Sequence, residues 1–196
     1  AGAVLENFPQ EVEAAVSVCK YMAFGPLYNG SVRFKDYAVM ADSLFFQTLG
    51  IEVLRGDPLH ELQQKDVVFL SDRLAQKMFG DEDPVGKVIN YDKQLQLTVK
   101  GIYAALPENS TMNPEAVISI VSAWSRDWAE YSWEGGDSFF QYIRFRPGVK
   151  VDVEKFNARL ETVIHNYLPQ DGKDNSSYTS IVKPLRDVYR SGDMVK

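Results

Sequence analysis

The chain has 196 residues, 45% of them hydrophobic and 24% charged, and a net charge of −6 at neutral pH. This is a globular composition, long enough for one large domain or two small subdomains, and it excludes wholesale disorder and fibrous repeats. The acid excess, with no cluster of Lys or Arg, excludes the row of phosphate contacts on which nucleic-acid binding depends.

No apolar run approaches the roughly 20 residues needed to cross a bilayer. There is no basic and apolar leader, so a signal peptide is expected to be absent or already removed. Cys19 is the one cysteine, which forbids an internal disulfide and leaves the compartment open.

In chain order, Leu5 and Phe8 predict a short helix that Pro9 stops. Val12, Ala14, Val16 and Val18 alternate with polar residues, the pattern of a strand with one buried face. Asn29-Gly30 predicts a turn into a second run at Val32, Phe34, Ala38 and Met40, so that the two runs form a long hairpin. Asp42 caps a helix bearing Leu44, Phe45 and Leu49, and Gly50 ends it in the left-handed conformation. Ile51 to Leu54 reads as a short strand, and Asp57-Pro58 as a cap and first turn anchored by Leu59 and Leu62.

From Asp66 to Ala105 the pattern predicts a compact unit. It comprises a strand at Val67 to Leu70, a helix capped by Ser71 with Leu74, Ala75, Met78 and Phe79 inward, and strands at Lys87 to Ile89 and Gln94 to Tyr103 joined through Asn90 to Lys93. Ala116 to Val121 reads as a buried strand, with helix as the alternative. Ser138 to Arg146 alternates again. Asp152 then caps the longest helix, whose Val153, Phe156, Leu160, Val163, Ile164 and Tyr167 make a broad apolar stripe before Pro169. A hydrophilic loop at 170–177 and a strand at Thr179 to Lys183 complete the pass.

Four features of the sequence bear on chemistry. Gly80 to Lys87 has the outline of a phosphate loop, but five residues and not four separate its glycines, Val88 replaces the Ser/Thr, and Asp81, Glu82 and Asp83 would repel phosphate. Asp81, Asp83, Gly86 and Asp92 fall at calcium-loop offsets, yet Val85 and Lys87 occupy ligand positions, so a solvated acidic turn is expected. His60 and His165 are the only histidines and form no zinc set or triad at recognisable spacing. Trp124, Trp128 and Tyr131, with Trp133 nearby, recur at helical spacing; core packing and an exposed recognition face both remain open, and periodicity favours burial. The sequons at Asn29, Asn109 and Asn175 read as polar turns.

Six phrases in order carry a family resemblance. They are Asp42-Ser-Leu-Phe-Phe-Gln-Thr-Leu-Gly50, Leu54-Arg-Gly-Asp57, Val68 to Gly80, Asp83-Pro-Val-Gly-Lys87, Val99-Lys-Gly-Ile102 and Leu106-Pro-Glu-Asn-Ser110, followed later by Pro184-Leu-Arg-Asp-Val-Tyr189. Together they resemble the periplasmic core domain of MacB/FtsX-type ABC transporter permeases. The resemblance implies an α+β fold with a porter-like subdomain of β-α-β units, at residues 1–60 and 137–196, and an inserted Sabre-like subdomain at 61–136.

The resemblance further implies a non-catalytic domain on the periplasmic side of the bacterial inner membrane, between two membrane helices. It would couple ATP-driven motion to export or signalling. A second permease copy or paralogue, a cytoplasmic ATPase and a periplasmic adaptor or substrate would be its partners. The isolated domain is expected to be monomeric, without cofactor, metal or catalytic residues. The rival expectations are an extracytoplasmic ligand-sensing or substrate-binding module, which needs a concave apolar pocket, and a hydrolase, which needs a histidine beside a nucleophile.

Overall fold

The computed structural model describes residues 1–19, 25–107, 109–110, 112–128, 139–167, 182–185 and 187–188. Helix α1 (Gly2–Asn7) ends two residues before Pro9, with Phe8 as its C-cap. Strand β1 (Val12–Cys19) follows. Asn29-Gly30 turns β2 (Leu27–Asn29) into β3 (Val32–Phe34), and β4 (Ala38–Ala41) leads to α2 (Phe45–Leu49). Gly50, at φ 68°, closes that helix, donating its N–H back to the carbonyls of Phe46 and Gln47.

Strand β5 (Val53–Arg55) precedes α3 (Pro58–Glu61), where the Asp57 carboxylate accepts the Leu59 N–H at 3.2 Å. Ser71 ends β6 (Val67–Ser71) and caps α4 (Asp72–Phe79), its hydroxyl accepting from Leu74 N–H at 2.9 Å. Strands β7 (Val88–Tyr91) and β8 (Leu95–Tyr103) are joined through Asp92 and Lys93, both at positive φ. Strand β9 (Ala116–Ser119), the single turn α5 (Val121–Trp124), β10 (Phe139–Phe145) and α6 (Val153–Tyr167) complete the described elements.

All ten strands belong to one mixed sheet, in the order β10-β1-β4-β9-β6-β8-β7-β2-β3, with β5 on β8. The pairs β4–β9 and β6–β8 are parallel and the rest antiparallel. The central strands are buried on both faces, and their alternate residues feed two different cores. Ala38, Met40, Val68, Leu70, Ala116 and Ile118 meet α4 and α5 on one face. Val39, Ala41, Val67, Phe69 and Val117 meet α2 and Leu62 on the other. A third cluster at the β10 end joins α1, through Val4 and Phe8, to Phe156 and Leu160 of α6.

Three expectations change. The long hairpin is not formed: the Asn29-Gly30 turn closes only the three-residue pair β2–β3, while β1 pairs along its length with β10 and meets β4 at Val18 and Cys19 alone. Strand β1 is also buried on both faces, because α1 and α6 cover Val12 and Ala15 while α2 covers Val16 and Val18. Leu62 anchors α3 at 1% exposure, but Leu59 stands 43% exposed, since a one-turn helix presents a single residue inward. The strand expected at Thr179 to Lys183 lies mostly outside the described residues, as do Pro169 and the 170–177 loop; Val182 and Lys183 are described and belong to no strand.

Two measurements test this packing. A Cβ at Gly101 would lie 2.1 Å from the Phe69 ring and 2.5 Å from the Arg55 carbonyl, with β5 closing the space above β8. Gly101→Ala is therefore expected to lose about 1–3 kcal/mol in urea unfolding. Gly2→Ala, with nothing within 4 Å of its Cβ, should lose none.

Burial holds the phenol of Tyr37 at about 12, with the Tyr142 charge adding to the effect, and burial also raises Tyr91, Tyr103 and Tyr142. The folded state thus favours the neutral phenols. Their contribution is complete below the unfolded value near 10 and is lost as pH rises through about 12. Tyr37→Phe, which cannot ionise, should shift the alkaline unfolding midpoint upward, followed by phenolate absorbance and circular dichroism together; an unchanged midpoint contradicts the assignment.

Candidate functional site

The residues singled out in the sequence do not converge. His60 lies on α3 with its Nδ1 2.6 Å from Asp57 Oδ2, both side chains well exposed, and this pairing holds the Asp57 carboxyl below its ordinary range. His165 is exposed on α6. Asp83 is held by Arg55 through two bonds of 2.8 and 3.0 Å and accepts the Val85 N–H, while strand β7 separates it from Asp92. Lys87 pairs with Glu82 and stands over the Phe79 ring, in a turn that runs into a strand and not into a helix. Among the described residues no group of three His, Cys, Asp or Glu side chains could hold a metal ion.

Trp124 and Trp128 pack, partly buried, against the cluster that contains α4, and Arg126 lies over the Trp128 ring while pairing with Asp66. Tyr131 and Trp133 lie outside the described residues. Asn29 donates its amide to the Met78 carbonyl at 2.8 Å, tying the β2–β3 turn to α4; Asn109 is exposed in a turn, and Asn175 is not described.

The polar cluster that does converge is structural. Glu115, 9% exposed, accepts from the Ser71 hydroxyl and from Arg73, whose Nε lies at 2.9 Å, while the Glu115 carbonyl accepts the Ser71 N–H at 2.8 Å. Beside it Tyr103 donates to the Pro114 carbonyl at 2.6 Å, and burial raises this phenol well above its usual range. The Ser71 hydroxyl is occupied at both ends, capping α4 and donating to Glu115, and no imidazole adjoins it. Such an arrangement joins β6, α4 and β9 and offers no activated nucleophile.

A concave surface lies elsewhere. A cleft of about 910 Å³ opens at the β10 end of the sheet. Its walls are α1 at Ala1, Ala3 and Val4, the end of α2 at Thr48 and Leu49, the edge strand β10, the α6 stripe at Leu160, Val163 and Ile164, and the segment from Val182 to Val188. Within it Asp187 and Val188 donate to the Pro184 carbonyl, and the Val182 N–H on Asn157 Oδ1 at 2.9 Å ties it to α6. The first residue and the last described residues therefore share one wall system. No motif in the sequence pointed here, because the lining comes from five separated segments, each of which reads alone as ordinary core.

The sequence profile described as MacB-like periplasmic core domain matches residues 1–163. The chain belongs to that family.

Solved structures agree at the level of fold. A domain assigned to a permease protein of Porphyromonas gingivalis superposes with a TM-score of 0.72 at 21% identity, over 97% of this chain and 84% of that one. The periplasmic region of MacB from Actinobacillus actinomycetemcomitans gives 0.66 at 13% identity, over 99% and 82%. The extracellular domain of the noncanonic ABC-type transporter YknZ from Gram-positive bacteria gives 0.56 at 14%, over 84% and 89%. No curated protein matches.

The family's recurrent phrases fall on structural joints of this MacB-like domain. Asp42 accepts the N–H groups of Ser17 and Leu44, and the ring of Phe46, one of the paired phenylalanines, packs tilted with its centroid 5.5 Å from that of Phe69 and 5.1 Å from that of Tyr103. Among the described residues no helix is long and apolar enough to cross a membrane. The Glu115 joint should be measurable: Glu115→Ala is expected to lower stability by about 1–3 kcal/mol, because the Ser71 hydroxyl loses its acceptor within the core while Arg73 can turn to water. Urea unfolding of the variant, with Arg73→Ala as the milder companion, checks it.

Proposed function

We propose that this domain is the extracytoplasmic part of an ABC transporter permease and transmits ATP-driven membrane motion to export or signalling outside the membrane, without catalysing a reaction itself. The observation that carries the reading is the meeting of Ala1 and the Val182–Val188 segment around one cleft. A domain inserted between two membrane helices must return its ends toward one surface, and here both described ends lie on the same side of the fold. The family membership supplies the transporter context.

In this reading the domain stands on the periplasmic side of the bacterial inner membrane. Its partners are a second permease copy or paralogue and a cytoplasmic ATPase, with an adaptor or substrate on the outer side. Residues 1–60 and 137–196 form the porter-like part and 61–136 the Sabre-like insertion, across which the β2–β3 hairpin reaches to pair with β7. The isolated chain is monomeric because the pairing surface lies in the membrane region. A second reading, a ligand-sensing module, is favoured by the apolar cleft itself; it predicts ligand binding that leaves ATP hydrolysis unmoved.

Motion transmitted through the chain ends must pass between α1 and α6, where the Tyr167 hydroxyl donates to Glu6 at 3.0 Å. Cysteines placed at 6 and 167 in the full transporter and joined by a short bismaleimide are expected to reduce export to background. Each single cysteine, treated alike, should leave it intact. Export unchanged by the cross-link would remove the coupling role.

A further inference from the structure

The sheet ends at β3, and among the described residues no strand pairs with its outer side. Asn29 opposes Val32 across the two-residue loop Gly30-Ser31, so that pair exchanges both backbone bonds and the next pair, Tyr28 with Arg33, exchanges none. The N–H and C=O of Arg33 therefore point out of the sheet. Arg33, Tyr28, Asn90 and Gln96 stand opposite one another in a row across β3, β2, β7 and β8, on one face. Lys93 reaches that face, its Nζ 5.4 Å from the centre of the Tyr28 ring. Lys35 follows the strand and is exposed, as is Arg33. Among the described residues none of these three cations pairs with a carboxylate: Asp36 is held by Lys77 through two bonds of 2.8 Å, and Asp92 takes the Gln94 amide at 3.0 Å.

We infer that the outer edge of β3 binds an acidic peptide segment, added to the sheet as a further strand with a carboxylate opposite Arg33. The outward N–H and C=O of Arg33 match the backbone of an extended peptide, and Arg33, Lys35 and Lys93 supply the charge that selects it. A second copy of this chain does not fit. Antiparallel pairing through the outward bonds of Arg33 sets that residue against its own counterpart, and like charges directly opposite are destabilising. The cations that keep two such edges apart leave this one open to a strand of opposite charge. On the other face Val32, 56% exposed, offers an apolar contact, so the occupant alternates acidic and apolar residues. Strands β3 and β10 are opposite edges of the sheet, so such a partner meets the domain away from the wall shared by the described chain ends. The inference goes beyond the transport reading, and its test needs no transporter, so either can fail without the other.

The test titrates the 196-residue chain, labelled with nitrogen-15, at low salt with a seven-residue peptide alternating Val and Glu. Saturable shifts of the Arg33 and Lys35 amide resonances, with slowed hydrogen exchange at Arg33, are expected. The same peptide with Lys in place of Glu should shift neither. N-methylation of the central backbone amides, which keeps the charge and removes the ladder, should weaken binding and abolish the exchange protection. Alginate, a polyanion without a peptide backbone, should give no protection at Arg33. Arg33→Glu, at an exposed edge position, should keep the circular dichroism, weaken the Glu peptide about ten-fold and gain binding of the Lys peptide. Lys150→Glu makes the same change in net charge at an exposed site between β10 and α6, and should alter neither. No saturable shift at Arg33, equal binding of the N-methylated peptide, protection by alginate, indifference to Arg33→Glu, or an equal loss in Lys150→Glu would each overturn the assignment.

Discussion

The fold depends on β9 being paired on both sides and buried on both faces. Ala116 to Ser119 runs parallel to β4 and antiparallel to β6, and it alone joins the β10-β1-β4 part of the sheet to the β6-β8-β7 part. Its ladder is prolonged at both ends, by the Glu115 N–H on the Tyr37 carbonyl and the Ile120 N–H on the Ala41 carbonyl. A slip of one residue would exchange Ala116 and Ile118 with Val117 and break both cores at once. Three polar side chains around it are engaged: Glu115 with Ser71 and Arg73, Ser119 with the Leu62 carbonyl, Ser122 with the Asp66 N–H. Register is thus specified by shape and by hydrogen bonding together.

That constraint explains why the aromatic joint at Phe46 matters. With β9 in place, α2 crosses from the edge-strand side onto Phe69 and Tyr103, so one helix of five residues bears on both parts of the sheet. The end of the same helix supplies Thr48 and Leu49 to the cleft. The cleft wall at this point is anchored through Phe45 and Phe46, which are buried in the core.

Much of the local structure was legible in the sequence because its causes are local. Asp57, Ser71, Asp152 and Gly50 act within one helical turn, and each does so here. The partner of β1 was not legible. The Asn29-Gly30 turn marks a hairpin wherever the chain bends, but β10 lies more than a hundred residues beyond β1, and no short-range pattern specifies that choice. Double-sided burial of β1 failed for a related reason: Ala14 and Ala15 are adjacent and both buried, an arrangement that a period of two cannot express, and the pairing is irregular between Val12 and Ala14. The family phrases were legible as a set, and they mark joints. The cleft was invisible because its walls come from five separated segments that only the folded chain brings together.

The interior of the sheet around β9 and its β10 end are held with unequal strength, and the inequality falls where the proposed function needs it. Around β9 every strand has helices or loops on both faces, whereas α6 is fixed by Phe156 and Leu160 against Phe8, Phe145 and α1, with Val163, Ile164 and Tyr167 increasingly open. Segments with few buried apolar contacts open at lower free energy than the global fold. The α1–α6 layer is therefore the part most easily displaced without unfolding the sheet, and it is the layer to which both described chain ends attach. A pull on those ends would change the cleft first and leave β9, with the cores on either side of it, undisturbed.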